Sequence, residues 1–518
     1  MTLTLVIGGT RSGKSAHAER LAIAAGARVR YVATADPTDA GMADRIAAHA
    51  GRRPPQWETV VAGDDLAAAL GGGAECALVD GLGVWIAGVM HRAGVFGGAP
   101  VAVAAETIHA GVAAAIAADA AVIVVAEDAG SGVLPADAAP RAWLDLLGEA
   151  TQRLAAAADE LIHVVAGHPT VLRGRPTAIS ARLRHHGDRD VRPGDADHAV
   201  NVVAGGPPPW LRAALVGALE NADRYPDDSA AVTAVAALHA RGADEVVAAN
   251  GAVEALWLLG PALRPKLAAC VHPAFTESEA GLRAHGIPVT RVLRDPDADF
   301  ALDPSAVPDA ADLVVVGNPA SPSGTLDPAT AILALRRPGR VVVVDEAFMG
   351  LVPGEPGSLA DEPLDDVIVV RSLTKILSIP GLRVGYALAP PRLADRLRDV
   401  RPPWSANTLA LAALQAAATA PAELAAIARR ADAERADLAH RLAAIDGVRT
   451  WRGAANFCLV EVADGPAVTA RLRDRGIAVR PAASFPGLGA CHLRLTARDP
   501  DANERLADAL AAAIGVPA

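Results

Sequence analysis

Eight residues near the start of the chain, Gly8-Gly9-Thr10-Arg11-Ser12-Gly13-Lys14-Ser15, satisfy the spacing GxxxxGK[ST]. That spacing suits phosphate. The glycines let backbone N–H groups curl around phosphate oxygens, Lys14 reaches the outer phosphates, and the Ser15 hydroxyl can hold Mg²⁺. Asp80, at the end of the apolar run 76–80, stands where a second Mg²⁺ ligand belongs. The expected ligand is GTP or ATP with Mg²⁺, and the candidate metal ligands are Ser15 and Asp80.

A second constellation lies in the last two thirds of the chain. Ser372-Leu373-Thr374-Lys375 follows the run DVIVVRS, Asp345-Glu346-Ala347-Phe348 closes RVVVV, and Arg383 precedes VGYALA. These types suit pyridoxal 5'-phosphate (PLP). Lys375 would form the Schiff base, and Asp345 would pair with the protonated pyridine nitrogen and keep the ring an electron sink. Ser372 and Arg383 would hold the phosphate, with backbone donors from Asn250-Gly251-Ala252 at a helix start. Phe275 would stack on the ring, and Phe348 lies just beyond Asp345.

The elements that must position these groups are legible as alternation. Short apolar runs alternate with Ala-rich helical stretches, the pattern of α/β units around a parallel sheet. Strands are expected at 3–8, 29–34, 76–80, 121–126 and 161–167, with the phosphate loop between the first strand and the helical run SAHAERLAIAA. A segment rich in Arg, His, Gly and Pro follows, and there a junction is expected. A second strand set comprises EVVAAN, KLAACVH, DLVVVGN, RVVVVDEA, DVIVVRS and VGYALA. After Arg401-Pro402-Pro403 come long Ala-rich helices and the short strands FCLVEV, GIAVRP and CHLRLTA. The expected division is 1–172, a linker at 173–184, a large domain with an N-terminal arm at 185–395, and a small subdomain at 396–518.

Composition limits the classes. At 518 residues about three compact units are expected from a size of ~150 residues each. Aromatics are only 3% of the chain, so its cores must be built from small aliphatic side chains. The net charge of -11 is spread along the chain, which argues against a nucleic-acid surface. The four cysteines are widely separated, the pattern of a reduced cytoplasmic protein. Neither a signal peptide nor a membrane span is expected.

Around the phosphate loop the sequence resembles a known family. GGTRSGKS, YVATAD, MADRIAAHAGRRPPQW, VDGLGVWIAGVM and AGSGVLPADAAPRAWLDLLGEATQRLAAAADE look like adenosylcobinamide kinase/adenosylcobinamide-phosphate guanylyltransferase, over about residues 1–172. The resemblance implies a P-loop NTPase-like domain. Such enzymes phosphorylate the aminopropanol hydroxyl of adenosylcobinamide, then transfer GMP onto that phosphate through a histidine, which falls on His49. An imidazole suits that task, being nucleophilic at neutral pH. The chain departs from the family where an Asn-Glu pair becomes Glu127-Asp128, an Asn becomes Thr151, Cys-Leu-Thr becomes Gly81-Leu82-Gly83, and an Asn becomes Gly88.

The remainder, from about His186, resembles fold-type I aminotransferases, and within them threonine-phosphate decarboxylase and histidinol-phosphate aminotransferase. RYPD, RSLTK, IPGLRVGY, RPPWSAN and ANF carry the likeness. It implies a large α/β domain, a small C-terminal α+β subdomain and a homodimer formed through this part. It also implies that Arg494 clamps a substrate carboxylate in a bidentate fork, and that His186 touches a substrate phosphate. Asn-Asn-Pro-Thr-Gly is here Ala320-Ser321-Pro322-Ser323-Gly324, so Ser321 takes the place that hydrogen-bonds the cofactor's 3-oxygen.

The two resemblances fit one another. Decarboxylation of L-threonine O-3-phosphate yields aminopropanol phosphate, and aminopropanol is the linker that the first family modifies. The alternatives are an aminotransferase acting on a histidinol-phosphate-like substrate, and a first domain reduced to a nucleotide-binding regulator.

Overall fold

Six residues, Leu3–Gly8, form β1, buried along nearly its whole length in the centre of a parallel sheet. The structure is a computed structural model that describes residues 2–25, 28–35, 53–54, 56–130, 134–174 and 183–515. The chain divides into two compact units, Met1–Ala178 and Ile179–Ala518.

In the first unit β2 (Val29–Ala33), β3 (Glu58–Val61), β4 (Cys76–Asp80), β5 (Ala121–Glu127), β6 (Glu160–Val165) and β7 (His168–Arg173) join β1 in the order β3-β2-β4-β5-β1-β6-β7. All pairs are parallel except β6 with β7. The central strands read as unbroken apolar runs because helices cover both faces. β3 and β7 were not expected. Both are edge strands whose side chains are mostly exposed, so neither carries an apolar run. The carboxyl ends of β1, β4 and β5 lie side by side, where open α/β sheets bind ligands.

The second unit holds two sheets. β9 (Val246–Asn250), β10 (Ala268–His272), β11 (Val289–Leu293), β12 (Leu313–Gly317), β13 (Val341–Asp345), β14 (Val367–Ser372) and β15 (Val384–Leu388) lie in the order β11-β10-β12-β13-β14-β15-β9. β15 runs antiparallel to both its neighbours and the other pairs are parallel. The smaller sheet is β16-β17-β19-β18-β8, from β8 (Ala196–His198), β16 (Arg449–Thr450), β17 (Phe457–Glu461), β18 (Ile477–Pro481) and β19 (His492–Thr496). The N-terminal arm, placed with the large domain in the sequence reading, thus adds its strand to the C-terminal sheet, pairing parallel with β18. The helix Pro421–Ala443 packs against both the turn Met349–Leu351 and β17. Arm and helix tie the two sheets together, which accounts for two units where size alone suggested three.

Among the described residues no single helix is long and apolar enough to cross a membrane. The helices Thr408–Ala418 and Pro421–Ala443 pass that test only jointly, across an 89° bend. The four cysteines are free, and three of them are buried.

Candidate functional sites

In the second unit the parallel strands deliver their ends to one place. β12, β13 and β14 end at Gly317, Asp345 and Ser372, with Gly317 beside Asp345 in register. β15 runs the other way, so its start, Val384 opposite Asn250 of β9, brings the preceding Arg383 to the same end. Between them is a cavity of about 510 Å³, whose walls include Lys375, Asp345, Ser372, Arg383, Ala252, Phe275, Phe348, Ser321, Arg494 and His186. Of the sequence candidates, Asn250 and Gly251 stand just behind this wall, at the N-terminus of the helix Ala252–Leu263.

The electrostatics are those of a desolvated site. Burial pulls the Lys375 ammonium down to about 8, against the pull of Asp345 and with help from Arg383 and Arg494. Burial also pushes the Asp345 carboxyl up, although Lys375 and the Ala347 N–H (3.1 Å) oppose that. Desolvation therefore outweighs the attraction between this acid and this base. A ligand with a cationic ring nitrogen and a carbonyl relieves both, and PLP has those groups.

The phosphate end fits as well. The guanidinium of Arg383 lies so close to Gly251 that a Cβ there would meet its Nη2 at 2.7 Å. Gly251 itself has φ 77°, a left-handed backbone that glycine adopts without strain. Ser372 is buried, and its Oγ accepts the Thr374 N–H at 3.3 Å. Phe348 lies 5.4 Å from Lys375 Nζ and packs edge-on against Phe457. The residues present suit PLP.

Arg494 is the clearest substrate group. It is 5% exposed, and its pKa is pulled down to about 9, by burial first and by Arg480 next. Nη2 donates to the Ala199 carbonyl (2.7 Å) and Nη1 to Ser321 Oγ (3.3 Å), while Nε is buried without a partner. Among the described residues no carboxylate pairs with it. A buried guanidinium with a free N–H suits an anionic ligand. Ser321, expected to face the cofactor's 3-oxygen, is here an acceptor for Arg494. His186 Nε2 lies 2.7 Å from Glu277 Oε1, with its ring 5.8 Å from that of Phe275. Glu277 also accepts from Trp257 Nε1 (2.8 Å) and pairs with Arg184 (3.4 Å).

Sequence reasoning missed Arg480 and Glu277. Arg480 donates to the His185 carbonyl and to Ser484 Oγ, each at 2.7 Å, and pairs with Asp190 at 3.5 Å. Its signal was an arginine inside the apolar strand Ile477–Pro481, the same cue that singled out Arg494. Glu277 opens an unremarkable short helix and carried no cue.

In the first unit the phosphate loop joins β1 to the helix Lys14–Ala25. A Cβ on Gly8 would lie 2.5 Å from Ser12 Oγ and 2.6 Å from the Val164 carbonyl, so only glycine fits there. Gly13 has φ 92°. Lys14 Nζ donates to the Gly9 carbonyl at 3.3 Å, lying over the loop it serves. Ser15 Oγ donates to Asp80 Oδ1 at 2.8 Å, and Tyr31 donates to Asp80 Oδ2 at 2.6 Å. A hydroxyl and a carboxylate that close are the oxygen donors a shared Mg²⁺ takes, so the donor set fits that ion. Tyr31 escaped the sequence reading. Burial, and then Asp80, push its hydroxyl far above the usual range, which keeps it a donor.

The family departures have physical consequences. Glu127 Oε2 accepts the Gly83 N–H at 2.7 Å, and Asp128 pairs with His163 at 3.1 Å. Thr151 Oγ1 is buried without a partner. A Cβ at Gly88 would sit 3.1 Å from Arg92 Nη1. His49 lies outside the described residues.

Comparison with known proteins finds one family on each part of the chain. The family described as cobinamide kinase / cobinamide phosphate guanyltransferase matches residues 4–172, and the family described as aminotransferase class I and II matches residues 199–510. The chain belongs to the class I and II aminotransferases, and it carries a cobinamide kinase/guanylyltransferase domain at its N-terminus. A histidinol-phosphate aminotransferase of Mycobacterium tuberculosis is 47% identical over 327 residues, 62% of this chain and 89% of that one. A threonine-phosphate decarboxylase of Salmonella typhimurium is 31% identical over 330 residues, 61% of this chain and 90% of that one. The crystal structure of L-threonine-O-3-phosphate decarboxylase from Porphyromonas gingivalis superposes with a TM-score of 0.55 at 24% identity, covering 60% of this chain and 97% of that one. That last likeness speaks for the fold.

Proposed function

We propose that the chain performs two steps in assembling the aminopropanol linker of a corrinoid. The second unit decarboxylates L-threonine O-3-phosphate to aminopropanol phosphate. The first uses GTP or ATP with Mg²⁺ to phosphorylate the aminopropanol hydroxyl of adenosylcobinamide, then passes GMP onto that phosphate through His49.

The observation that carries the decarboxylase half is Arg494, a buried guanidinium with an unpartnered Nε in the wall of the Lys375 cavity. It takes the substrate carboxylate in a fork, while Arg184 and His186 at the other wall take the side-chain phosphate. Two anchors would set which bond at Cα the cofactor, when bound, weakens, and this reading assigns that place to the bond to the carboxylate. PLP, when bound, supplies the electron sink for that bond pair. Asp345 holds a proton at the ring nitrogen, and Lys375 Nζ, with its pKa brought near neutrality, returns a proton to Cα. In the first unit Lys14 gathers the phosphates, while Ser15 and Asp80 hold Mg²⁺.

One observation favours a second reading of the PLP unit. The relatives at 47% identity are named histidinol-phosphate aminotransferases. Mass spectrometry of the product decides between them. The proposal expects aminopropanol phosphate from threonine phosphate with no keto acid added. It fails if product forms only from histidinol phosphate together with 2-oxoglutarate. For the first unit, labelled GTP should leave an acid-labile GMP on His49, and its absence or placement elsewhere contradicts that half.

A further inference from the structure

Two of the departures from the kinase family meet in space. Gly83 is the second residue of the helix Leu82–Arg92, whose N-cap Gly81 offers no side-chain cap. Its N–H is taken instead by Glu127 Oε2 at 2.7 Å, and its carbonyl accepts from Trp143 Nε1 at 2.8 Å. A Cβ on Gly83 would lie 2.5 Å from that same Oε2 and 3.0 Å from the Trp143 ring. A side chain at 83 would therefore push the Glu127 carboxylate off the Gly83 N–H or shift the Trp143 ring. Glycine at 83 leaves the room that the Glu127 carboxylate occupies.

The carboxylate so installed has a definite address. Glu127 ends β5 and is the register partner of Gly8, the first residue of the phosphate loop, and strands so paired lie about 4.8 Å apart. The next residue, Asp128, donates its N–H to the Gly8 carbonyl at 2.9 Å. Among the described residues Asp80 and Asp128 share this end of the sheet, and both are engaged. Asp80 accepts from Ser15 and Tyr31, and the Asp128 carboxylate faces His163. Glu127 is half-buried, held through one oxygen, and its Oε1 has no hydrogen bond among the described residues.

We infer that Glu127 is the catalytic base of the kinase step, accepting through Oε1 the proton of the acceptor hydroxyl as that oxygen attacks the γ-phosphorus. The inference rests on the kinase reading of this unit. The acceptor O–H bond breaks toward Glu127, the O–Pγ bond forms, and the bond from Pγ to the bridging oxygen breaks. The nucleoside diphosphate leaves with the bond pair, and the proton passes from Glu127 to solvent. Transfer of GMP onto an acceptor that already carries phosphate needs no such base, because a phosphate oxygen attacks as the anion.

That asymmetry supplies the test, run on the full chain with GTP, Mg²⁺ and either adenosylcobinamide or its phosphate. Glu127→Gln can still accept the Gly83 N–H through its carbonyl. Its kcat for phosphorylation should fall by about 10²–10⁴, the usual contribution of general-base catalysis. The dissociation constant of a fluorescent GTP analogue, and the rate of guanylylation of the pre-phosphorylated acceptor, should change far less. Equal loss in both half-reactions, or a wild-type phosphorylation rate in Glu127→Gln, overturns the inference while leaving the kinase reading in place. A wild-type chain that binds GTP and phosphorylates no cobinamide overturns both. Should Glu127→Gln lose GTP binding, Gly83→Ala decides: it keeps the carboxylate and displaces it, so phosphorylation should fall and guanylylation persist. If Gly83→Ala phosphorylates normally, the inference fails.

Discussion

Lys14 and Lys375 are the central cations of two sites on one chain, and their surroundings differ in kind. Lys14 lies half-buried over a backbone carbonyl of its own loop, and the Ser15–Asp80–Tyr31 set beside it is hydrogen-bonded. Lys375 stands in a cavity where burial draws its pKa to about 8, facing an acid that burial pushes up. Arg494 in the same wall has its pKa down at about 9 and an Nε with no partner. The first site is built from backbone and short mutual hydrogen bonds, and at its rim Gly83 leaves room for the Glu127 carboxylate. The second is built from desolvated charges that only a ligand satisfies. Its specificity therefore resides in side chains that tolerate little change.

Lys375→Ala should abolish the cofactor adduct that borohydride traps on the wild-type chain and lower turnover by at least ~10⁴, the upper range for an acid–base group alone. An adduct that persists on another lysine would end the assignment. Lys14→Ala should cut nucleotide-dependent turnover by about 10²–10³, the effect of losing one preorganised electrostatic group, while cofactor trapping in the second unit stays intact. Loss of both together would break the separation of the sites.

Arg494→Lys keeps the charge and removes the fork. Its kcat/KM for the carboxylate substrate should fall roughly 10- to 100-fold, the equivalent of ~1.5–3 kcal/mol for a charge-assisted contact. An unchanged value would show that the carboxylate is held elsewhere.

Proton occupancy of Lys375 gives the next effect. Below a pKa of about 8 the amine is protonated and cannot attack a carbonyl. Covalent capture of PLP by the apo-protein should therefore slow about tenfold from pH 7.5 to 6.5 and level off above pH 8. A rise continuing to pH 10 would contradict a desolvated lysine. Linkage gives the same sign: the unfolded chain binds the extra proton between about 8 and 10.5, so the apo-protein should gain stability over Lys375→Met as pH rises through that window.

The smallest effect concerns the rim of the first site. Gly83→Thr should destabilise the chain by ~1–3 kcal/mol through overpacking against Glu127 and Trp143. Glu127→Asn in the same chain should restore most of that, as thermal denaturation would show. Additive losses would mean the two positions are independent.

Where a motif is read from backbone and strand order, the sequence was sufficient. The phosphate loop, Asp80 at the end of β4, and Lys375, Asp345 and Arg383 around one cavity followed from apolar runs and the residues that end them. Contacts made across the fold were not legible in the same way. Tyr31 reads as one more apolar strand residue, and only the packing of β2 against β4 turns its hydroxyl toward Asp80. Ser321 stands out by its place in a motif, while its contact with Arg494, 173 residues away, is not written there. The fit of Gly83 to Glu127 does not show until a Cβ is placed between them. The edge strands β3 and β7 face solvent, so no apolar period announced them.

If the second unit removes a carboxylate rather than exchanging an amino group, an equimolar mixture of carboxyl-labelled L-threonine O-3-phosphate, histidinol phosphate and 2-oxoglutarate separates the two reactions. The full chain should release labelled CO₂ as the main product, at a rate that omitting 2-oxoglutarate leaves unchanged. Glutamate accumulating as histidinol phosphate disappears, with no labelled CO₂, would contradict decarboxylation.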